Sequence, residues 1–218
     1  MAHRIGYAPY SWFSYRVVSA SYNPVTRRAF DPKCDDGKGG VMNCFAGDNS
    51  LTNTLAAPKV FLGRSIPRIQ GSWTNTIRFG DFRLYGMVDY ARGFKRTDNN
   101  LRIRCQLFLT CLEVVKTDNT DPARLVQMQT GGSLRNFVIN DASYASLREL
   151  SLAYDAPSRF ASKLGAHSLG LTASARNMRW WTKYTGLDPE NQLGGTGDLD
   201  QAEYPQLAAL IFTLRLAY

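Results

Sequence analysis

Phe212-Thr213-Leu214-Arg215-Leu216-Ala217-Tyr218 places a large apolar residue at every second position and stops on an aromatic. Alternation with a period of two is the pattern of a β-strand with one apolar and one polar face. Terminal residues of soluble domains commonly fray, yet here the last residue is the strongest strand former of the run. Such a stretch suits the closing strand of a transmembrane β-barrel, with Phe212, Leu214 and Leu216 on lipid and Tyr218 in an interfacial girdle. It equally suits the last strand of a soluble β-sandwich, and on these seven residues both readings stay open.

The composition narrows the choice. The chain has 218 residues, of which 44% are hydrophobic and 12% aromatic, with a net charge of +8. Its mean hydropathy of −0.28 is polar, and no run of about 18 apolar residues offers a transmembrane helix. A membrane barrel is untouched by that result, because alternating strands average out in any hydropathy window. The excess positive charge comes mostly from arginine and is dispersed. Arg78, Arg83, Arg176 and Arg215 each sit between apolar neighbours in strand-like runs. They read as polar-face, lumen-facing residues rather than as a nucleic-acid patch, so no nucleic-acid partner is expected.

Outward from the terminal strand, the clearest structure is a hairpin. Ser72–Phe79 and Phe82–Tyr90 flank Gly80-Asp81, a two-residue turn of the kind that closes tight hairpins. Phe82, Leu84, Val88 and Tyr90 share one face of the return strand; Arg83, Tyr85 and Asp89 share the other. Tyr144–Tyr154 reads as a further strand, followed by Asp155-Ala156-Pro157 and one or two helical turns over Ser158–Leu164. Ser168–Asn177 alternates again. Arg148 falls in phase with Leu150 and Leu152, on the wrong face for lipid, and a bulge that shifts the register there would resolve it. Trp12–Tyr22 is taken as the first strand, although both its faces carry aromatics. The total is six strands.

The connections are unequal: Gly80-Asp81 and 155–167 are short, whereas 23–70, 91–143 and 178–207 are long and rich in Gly, Asp and Asn. Soluble sandwiches seldom carry loops beyond about 15 residues, whereas short turns at one end and long loops at the other characterise outer-membrane barrels. Six strands are too few, since about eight is the smallest known membrane barrel. An open sheet edge in lipid costs several kcal/mol for each unpaired group. Further strands preceding Met1 are therefore expected. The absence of a signal-peptide pattern at Met1-Ala2-His3-Arg4 points the same way.

Cys34, Cys44, Cys105 and Cys111 all lie in the long connections, at spacings that lack the tight pair of a zinc site. Disulfides fit better, most simply Cys34–Cys44 and Cys105–Cys111 among three possible connectivities, and imply an oxidising compartment. Asp35-Asp36-Gly37 lacks the spaced oxygens of a calcium loop and reads as a solvated turn. His3 and His167 stand alone. Gly194-Gly195-Thr196-Gly197 follows no strand closely enough to cradle phosphate. With no Ser/His/Asp set and no paired carboxylates in context, neither an enzyme, nor a cofactor, nor a metal is expected.

Several stretches resemble the SusC/RagA family of TonB-linked outer-membrane receptors. Phe137–Tyr154, with Asn140-Asp141-Ala142-Ser143-Tyr144 and Leu150-Ser151-Leu152-Ala153-Tyr154 inside it, is similar to the family's acidic-Ala-Ser-aromatic segment that leads into a strand, and Asp155-Ala156-Pro157 to the proline turn after it. Ser174–Met178 and Trp180–Glu190, ending in Tyr184-Thr185-Gly186-Leu187-Asp188-Pro189-Glu190, resemble its Asn-Leu…Thr-x-Tyr-x-Gly-x-Asp-Pro-Glu motif. Ile66–Ile77, Gly6-Tyr7-Ala8-Pro9 with Phe13, Tyr15 and Arg16, and Tyr204–Tyr218 match in order. Tyr144 in place of Phe, Asn140 in place of Glu and a short loop over 191–203 depart from the pattern.

The resemblance implies an all-β fold: about six C-terminal strands of a larger, plugged, antiparallel transmembrane barrel, with short periplasmic turns and long extracellular loops. Residues 1–218 would form one barrel portion, the plug and earlier strands being absent. It further implies TonB-dependent import of bulky nutrients, glycans or peptides, across the outer membrane of a Gram-negative bacterium. The expected partners are membrane lipids, the rest of the barrel and plug, a SusD-like lipoprotein and TonB. In the loops, Trp180, Trp181 and Tyr184 are candidates for stacking on substrate, with the outer aromatic girdle as the favoured alternative. A different class of function, an autonomous secreted β-domain that binds glycans or surfaces, would also accommodate the disulfides and aromatics. A small barrel closed by self-association would need its own signal peptide.

Overall fold

A computed structural model describes residues 2–132, 134–190, 199–200 and 204–218, the pair 199–200 for its backbone only. In chain order the strands are β1 (Ser11–Ser14), β2 (Val17–Asn23), β3 (Arg28–Asp35), β4 (Val41–Asn43), β5 (Val60–Arg64), β6 (Ile69–Phe79), β7 (Phe82–Arg92), β8 (Lys95–Asp98), β9 (Ile139–Asp141), β10 (Tyr144–Ala156), β11 (Ser168–Thr182), β12 (Leu199–Asp200) and β13 (Ala209–Ala217). The α-helices are α1 (Asn99–Arg102), α2 (Leu112–Val115), α3 (Pro122–Gln129) and α4 (Ser158–Ser162). They divide into two compact units, one of 1–67, 93–142 and 184–204, the other of 68–92, 143–183 and 205–218.

The second unit is one antiparallel sheet in the order β13-β11-β10-β7-β6. Its strands run 9 to 15 residues, the length a tilted membrane crossing needs. The hairpin is in register throughout, from Phe79 opposite Phe82 to Ile69 opposite Arg92, because Gly80, at φ 56°, tolerates the left-handed backbone of the two-residue turn. After Pro157, α4 supplies the short helical connection. All three long connections leave from the end marked by Ile69, Arg92, Tyr144 and Thr182. Among the described residues, neither β6 nor β13 has a partner on its outer edge.

The expected bulge is present. Leu147 and Glu149 oppose Val88 and Met87, which are adjacent, so Arg148 is the extra residue. The same rows on β11 are Arg179 and Arg176, with Asn177 between them at φ 51°. Leu147, Leu150, Leu152 and Tyr154 thereby stay on one face, while Arg148 swings to the other and binds Asp89 there at 2.6 Å.

The first unit is built largely from the long connections. Most of the long connections fold into short strands and helices around two cores. One core gathers Ala29, the Cys34–Cys44 pair, Phe45 and Ala57 with Leu125 and Val126 of α3 and Leu134. Helix α3 begins where Asp121 caps it through the Ala123 amide at 2.9 Å, with Pro122 at its first position. The second core holds Leu101, the Cys105–Cys111 pair, Met128, Phe137 and Val138. Both disulfides are formed.

The strand expected over Trp12–Tyr22 is corrected. It is two strands: β1 pairs with β5, and β2 pairs with β3. Trp12 is buried and its indole donates to the Lys95 carbonyl at 2.9 Å. Aromatics on both faces reflect packing inside this unit, so the membrane-type sheet has five strands from this chain rather than six. The stretch 191–198, with Gly194-Gly195-Thr196-Gly197, and residues 201–203 lie outside the described residues.

Candidate functional site: a sheet with two unlike faces

Cross-strand partners share a face, so the registers sort the paired residues of the five-stranded sheet. One face carries Trp73, Ile77 and Phe79 of β6, Phe82, Leu84, Val88 and Tyr90 of β7, and Leu147, Leu150, Leu152 and Tyr154 of β10. It continues with Leu171, Ala173 and Ala175 of β11 and Leu210, Phe212, Leu214 and Leu216 of β13. These side chains are open. Trp73 is 59% exposed, Phe79 55%, Leu150 44%, Leu152 43%, Phe212 80% and Leu214 61%. Among the described residues, neither apolar core contains a residue of this unit. A contiguous apolar face of this extent is foreign to a water-soluble monomer, whose largest exposed patch is about 300–600 Å².

The face is also banded. Phe79 and Phe82 stack at 5.6 Å and Phe82 meets Tyr154 at 4.8 Å near the short-turn end. Tyr90 and Trp181 stand in one row near the other end, through Ala145. Phe82 to Tyr90 is eight residues along an unbulged strand. At about 3.3 Å per residue and about 40° of tilt the bands lie about 20 Å apart, comparable with the ~25 Å apolar belt of outer-membrane barrels.

The opposite face is polar and basic. Arg78 opposes Arg83, Arg176 opposes Glu149, and Arg215 opposes Gly170, all on this side. Asp155 lies 3.5 Å from Arg78 and 3.7 Å from Arg83. Arg176 pairs with Glu149 at 3.2 Å. Arg148 and Asp89 are mostly sheltered, and Ser72 and Gln206 extend their hydrogen bonds. The half-exposed pairs are worth little individually; what they define is a wetted, arginine-bearing wall.

The three aromatic candidates do not converge. Trp180, opposite Ser146, is on the polar face, half-buried, and its Nε1 has no hydrogen-bond partner among the described residues. Trp181 is on the apolar face, half-exposed, with the Arg179 guanidinium 5.9 Å from its ring. Tyr184 is buried in the first unit. Of the apolar terminal residues, Phe212, Leu214 and Leu216 share the open face, and Tyr218 follows the end of β13. Sequence reading overlooked Asp89, Glu149 and Asp155 as partners of the arginines. Glu149 falls in register with Arg176, whereas Asp89 and Asp155 reach arginines outside their own rows, so the shared polar face was the one signal in the sequence.

Among the described residues, the one close trio of possible ligands is Cys105, Cys111 and Glu113, and both its sulfurs are tied up as a disulfide. At Asp35-Asp36-Gly37 the carboxylates are occupied by backbone: Asp36 Oδ1 accepts from the amides of Lys38 at 2.7 Å and Gly40 at 2.8 Å, and Asp35 Oδ1 accepts from Gly37 at 2.7 Å. Those amides hold the Asp36 carboxyl below the usual carboxylate range. His3 packs edge-on against Tyr10, and the His167 amide donates to Ala217.

No family model matches the chain. It is 32% identical over 88 residues to TonB-dependent receptor P3 of Formosa agariphila, a match covering 37% of this chain and 9% of that receptor. Its fold is similar to the structure of the RagAB peptide importer in the 'open-open' state, with a TM-score of 0.72 at 16% identity over 95% of this chain. It is likewise similar to the structure of the RagAB peptide transporter, with a TM-score of 0.68 at 19% identity over 94%. The chain spans 22% of each of those solved chains. These similar proteins are a receptor and importers, not enzymes. Over 88 residues the chain is thus similar to a TonB-dependent receptor, and along most of its length its fold is similar to that of a RagAB importer chain.

Proposed function

We propose that this chain forms part of the barrel wall of a TonB-dependent importer in the outer membrane of a Gram-negative bacterium. The cargo is a bulky nutrient of the glycan or peptide class. The apolar face meets lipid, the arginine face lines the lumen, and the long connections are extracellular. The rest of the barrel and the plug supply partners for the open edges of β6 and β13, with Phe212, Leu214, Leu216 and Tyr218 at the closing seam. A SusD-like lipoprotein covers the entrance, and TonB drives the plug. Trp181 belongs to the outer girdle, and Trp180, on the lumen side, is the aromatic placed to touch cargo.

The observation that carries this reading is the uncovered apolar face, with Leu150 and Leu152 open at its centre. Water would penalise it by roughly 25 cal/mol per Å², and hydrocarbon removes that penalty. The expressed chain should partition into the outer-membrane fraction and need detergent to stay monodisperse. A monodisperse monomer in detergent-free buffer would overturn the proposal in favour of a secreted β-domain.

A further inference from the structure

The positive charge of the chain is concentrated in the second unit. Eleven Lys and Arg stand there against four acids, Asp81, Asp89, Glu149 and Asp155, whereas the first unit has fifteen against fourteen. Within the sheet the imbalance is local. Asp89 is engaged by Arg148 and Glu149 by Arg176. Asp155 alone serves both Arg78 and Arg83. Arg215 makes no ion pair with a described residue and stands on the same face, one strand beyond Asp155 across Gly170. A Cβ built on Gly170 would lie 3.7 Å from the Asp155 carboxylate and 3.8 Å from Cβ of Arg215, so the floor between them is bare backbone. The Arg78 and Arg83 guanidinium groups reach Asp155 and Arg215 stands beside it across Gly170, so three arginines border a notch that holds one carboxylate. Arg78, Arg83 and Asp155 are 66%, 46% and 49% exposed, so the notch is open to a ligand.

We propose that Arg78, Arg83 and Arg215, grouped around Asp155 on the polar face, form a subsite for carboxylate-bearing cargo. This inference rests on the barrel-wall reading above and adds the substrate class to it. Guanidinium forks pair with carboxylates in bidentate geometry. Two of these forks are only loosely engaged by Asp155, at distances beyond a good charge-assisted bond. An incoming carboxylate takes up the surplus charge, and Asp155 competes with it. Both an acidic peptide and a uronic-acid glycan supply that chemistry.

The test is binding of fluorescent hexaglutamate and of labelled oligogalacturonate to the folded, detergent-solubilised chain, with hexaglutamine as the neutral control. The subsite predicts that at least one acidic probe binds, that salt weakens it, and that hexaglutamine does not bind. The two probe arms report which source of carboxylate is preferred. Arg215→Gln should weaken binding about threefold and the combined Arg78→Gln, Arg83→Gln, Arg215→Gln variant about tenfold or more. Asp155→Asn should strengthen binding about threefold by removing the internal competitor. Retained β-sheet circular dichroism certifies each variant, and the single substitutions carry the test if the triple variant does not fold. Equal binding of hexaglutamine, no binding of either acidic probe, wild-type binding by the arginine variants, or weaker binding by Asp155→Asn would each overturn the subsite. None of those results bears on whether the sheet sits in a membrane, which partitioning and detergent dependence report separately.

Discussion

Replacing Leu150 by arginine separates lipid from every other explanation of the alternation. Leu150 opposes Gly86, which lies midway between Phe82 and Tyr90 on β7, so it stands at the centre of the apolar band. At that depth an arginine facing lipid costs about 2–4 kcal/mol. The adjacent Ser151 points to the other face, between Tyr85 and Ser174. Arginine there joins an already basic wetted wall and should cost within about 0.5 kcal/mol, as surface substitutions do. The assay is urea unfolding of the chain refolded into lipid vesicles. With a slope of about 2 kcal/mol per molar urea, Leu150→Arg lowers the midpoint by about 1–2 M and Ser151→Arg leaves it nearly unmoved. Equal costs at the two sites would refute the assignment of faces. So would an unaltered midpoint for Leu150→Arg.

Three further outcomes follow from other parts of the chain. Arg148→Leu leaves Asp89 without its sheltered cation and should destabilise the sheet by about 1–3 kcal/mol, read by the same unfolding assay. Reduction of Cys34–Cys44 and Cys105–Cys111 should remove about 2–3 kcal/mol per bridge from the first unit, by loop-closure entropy; limited proteolysis after reduction should cleave within 23–67 and 93–142 while β6, β7, β10 and β11 stay protected. Asp31 is held below the usual carboxylate range, first by the Asn49 amide and then by Lys33. Asp36 is held down by the Lys38 and Gly40 amides. Because both folded-state values lie below the unfolded one, their stabilisation is complete above the ordinary carboxylate value of about 3.9 and fades as pH falls through the lower folded values. Acid titration of Asp31→Asn and Asp36→Asn should show a shallower loss below that point than the parent chain.

The sheet was legible because a membrane strand writes its environment in every residue. The hairpin at Gly80-Asp81, the strands from Tyr144 and Ser168 and the terminal strand all follow the period of two. Arg148, out of phase, identified its own bulge. Faces were readable; partners were not, since which acid meets which arginine depends on register between strands far apart in the chain. The first unit stayed hidden for a different reason. Its elements are two to eight residues long, too short for any period. Their order comes from long-range side-chain-to-backbone bonds. Asn49 accepts from the Phe45 amide at 2.8 Å and donates to Asp31 at 2.7 Å and the Pro32 carbonyl at 2.8 Å. Gln127 accepts from the Phe137 amide at 3.0 Å, and Gln129 from the Ala29 amide at 2.9 Å. A Gly-, Asp- and Asn-rich composition reads as loop, yet those same residues supply the turns and buried amides that hold this unit together. Trp12 misled in the same way: its burial comes from β5 and the Lys95 carbonyl, not from a neighbouring membrane strand.

Contact between hydrocarbon and one side of the sheet is measured most directly by quenching from brominated lipids. With a tryptophan introduced at Leu150 or at Ser151, the fluorescence of each variant is compared between vesicles of brominated and ordinary lipid. Strong additional quenching is expected for Leu150→Trp and none for Ser151→Trp. Equal quenching at both positions, or none at Leu150→Trp, would contradict such contact.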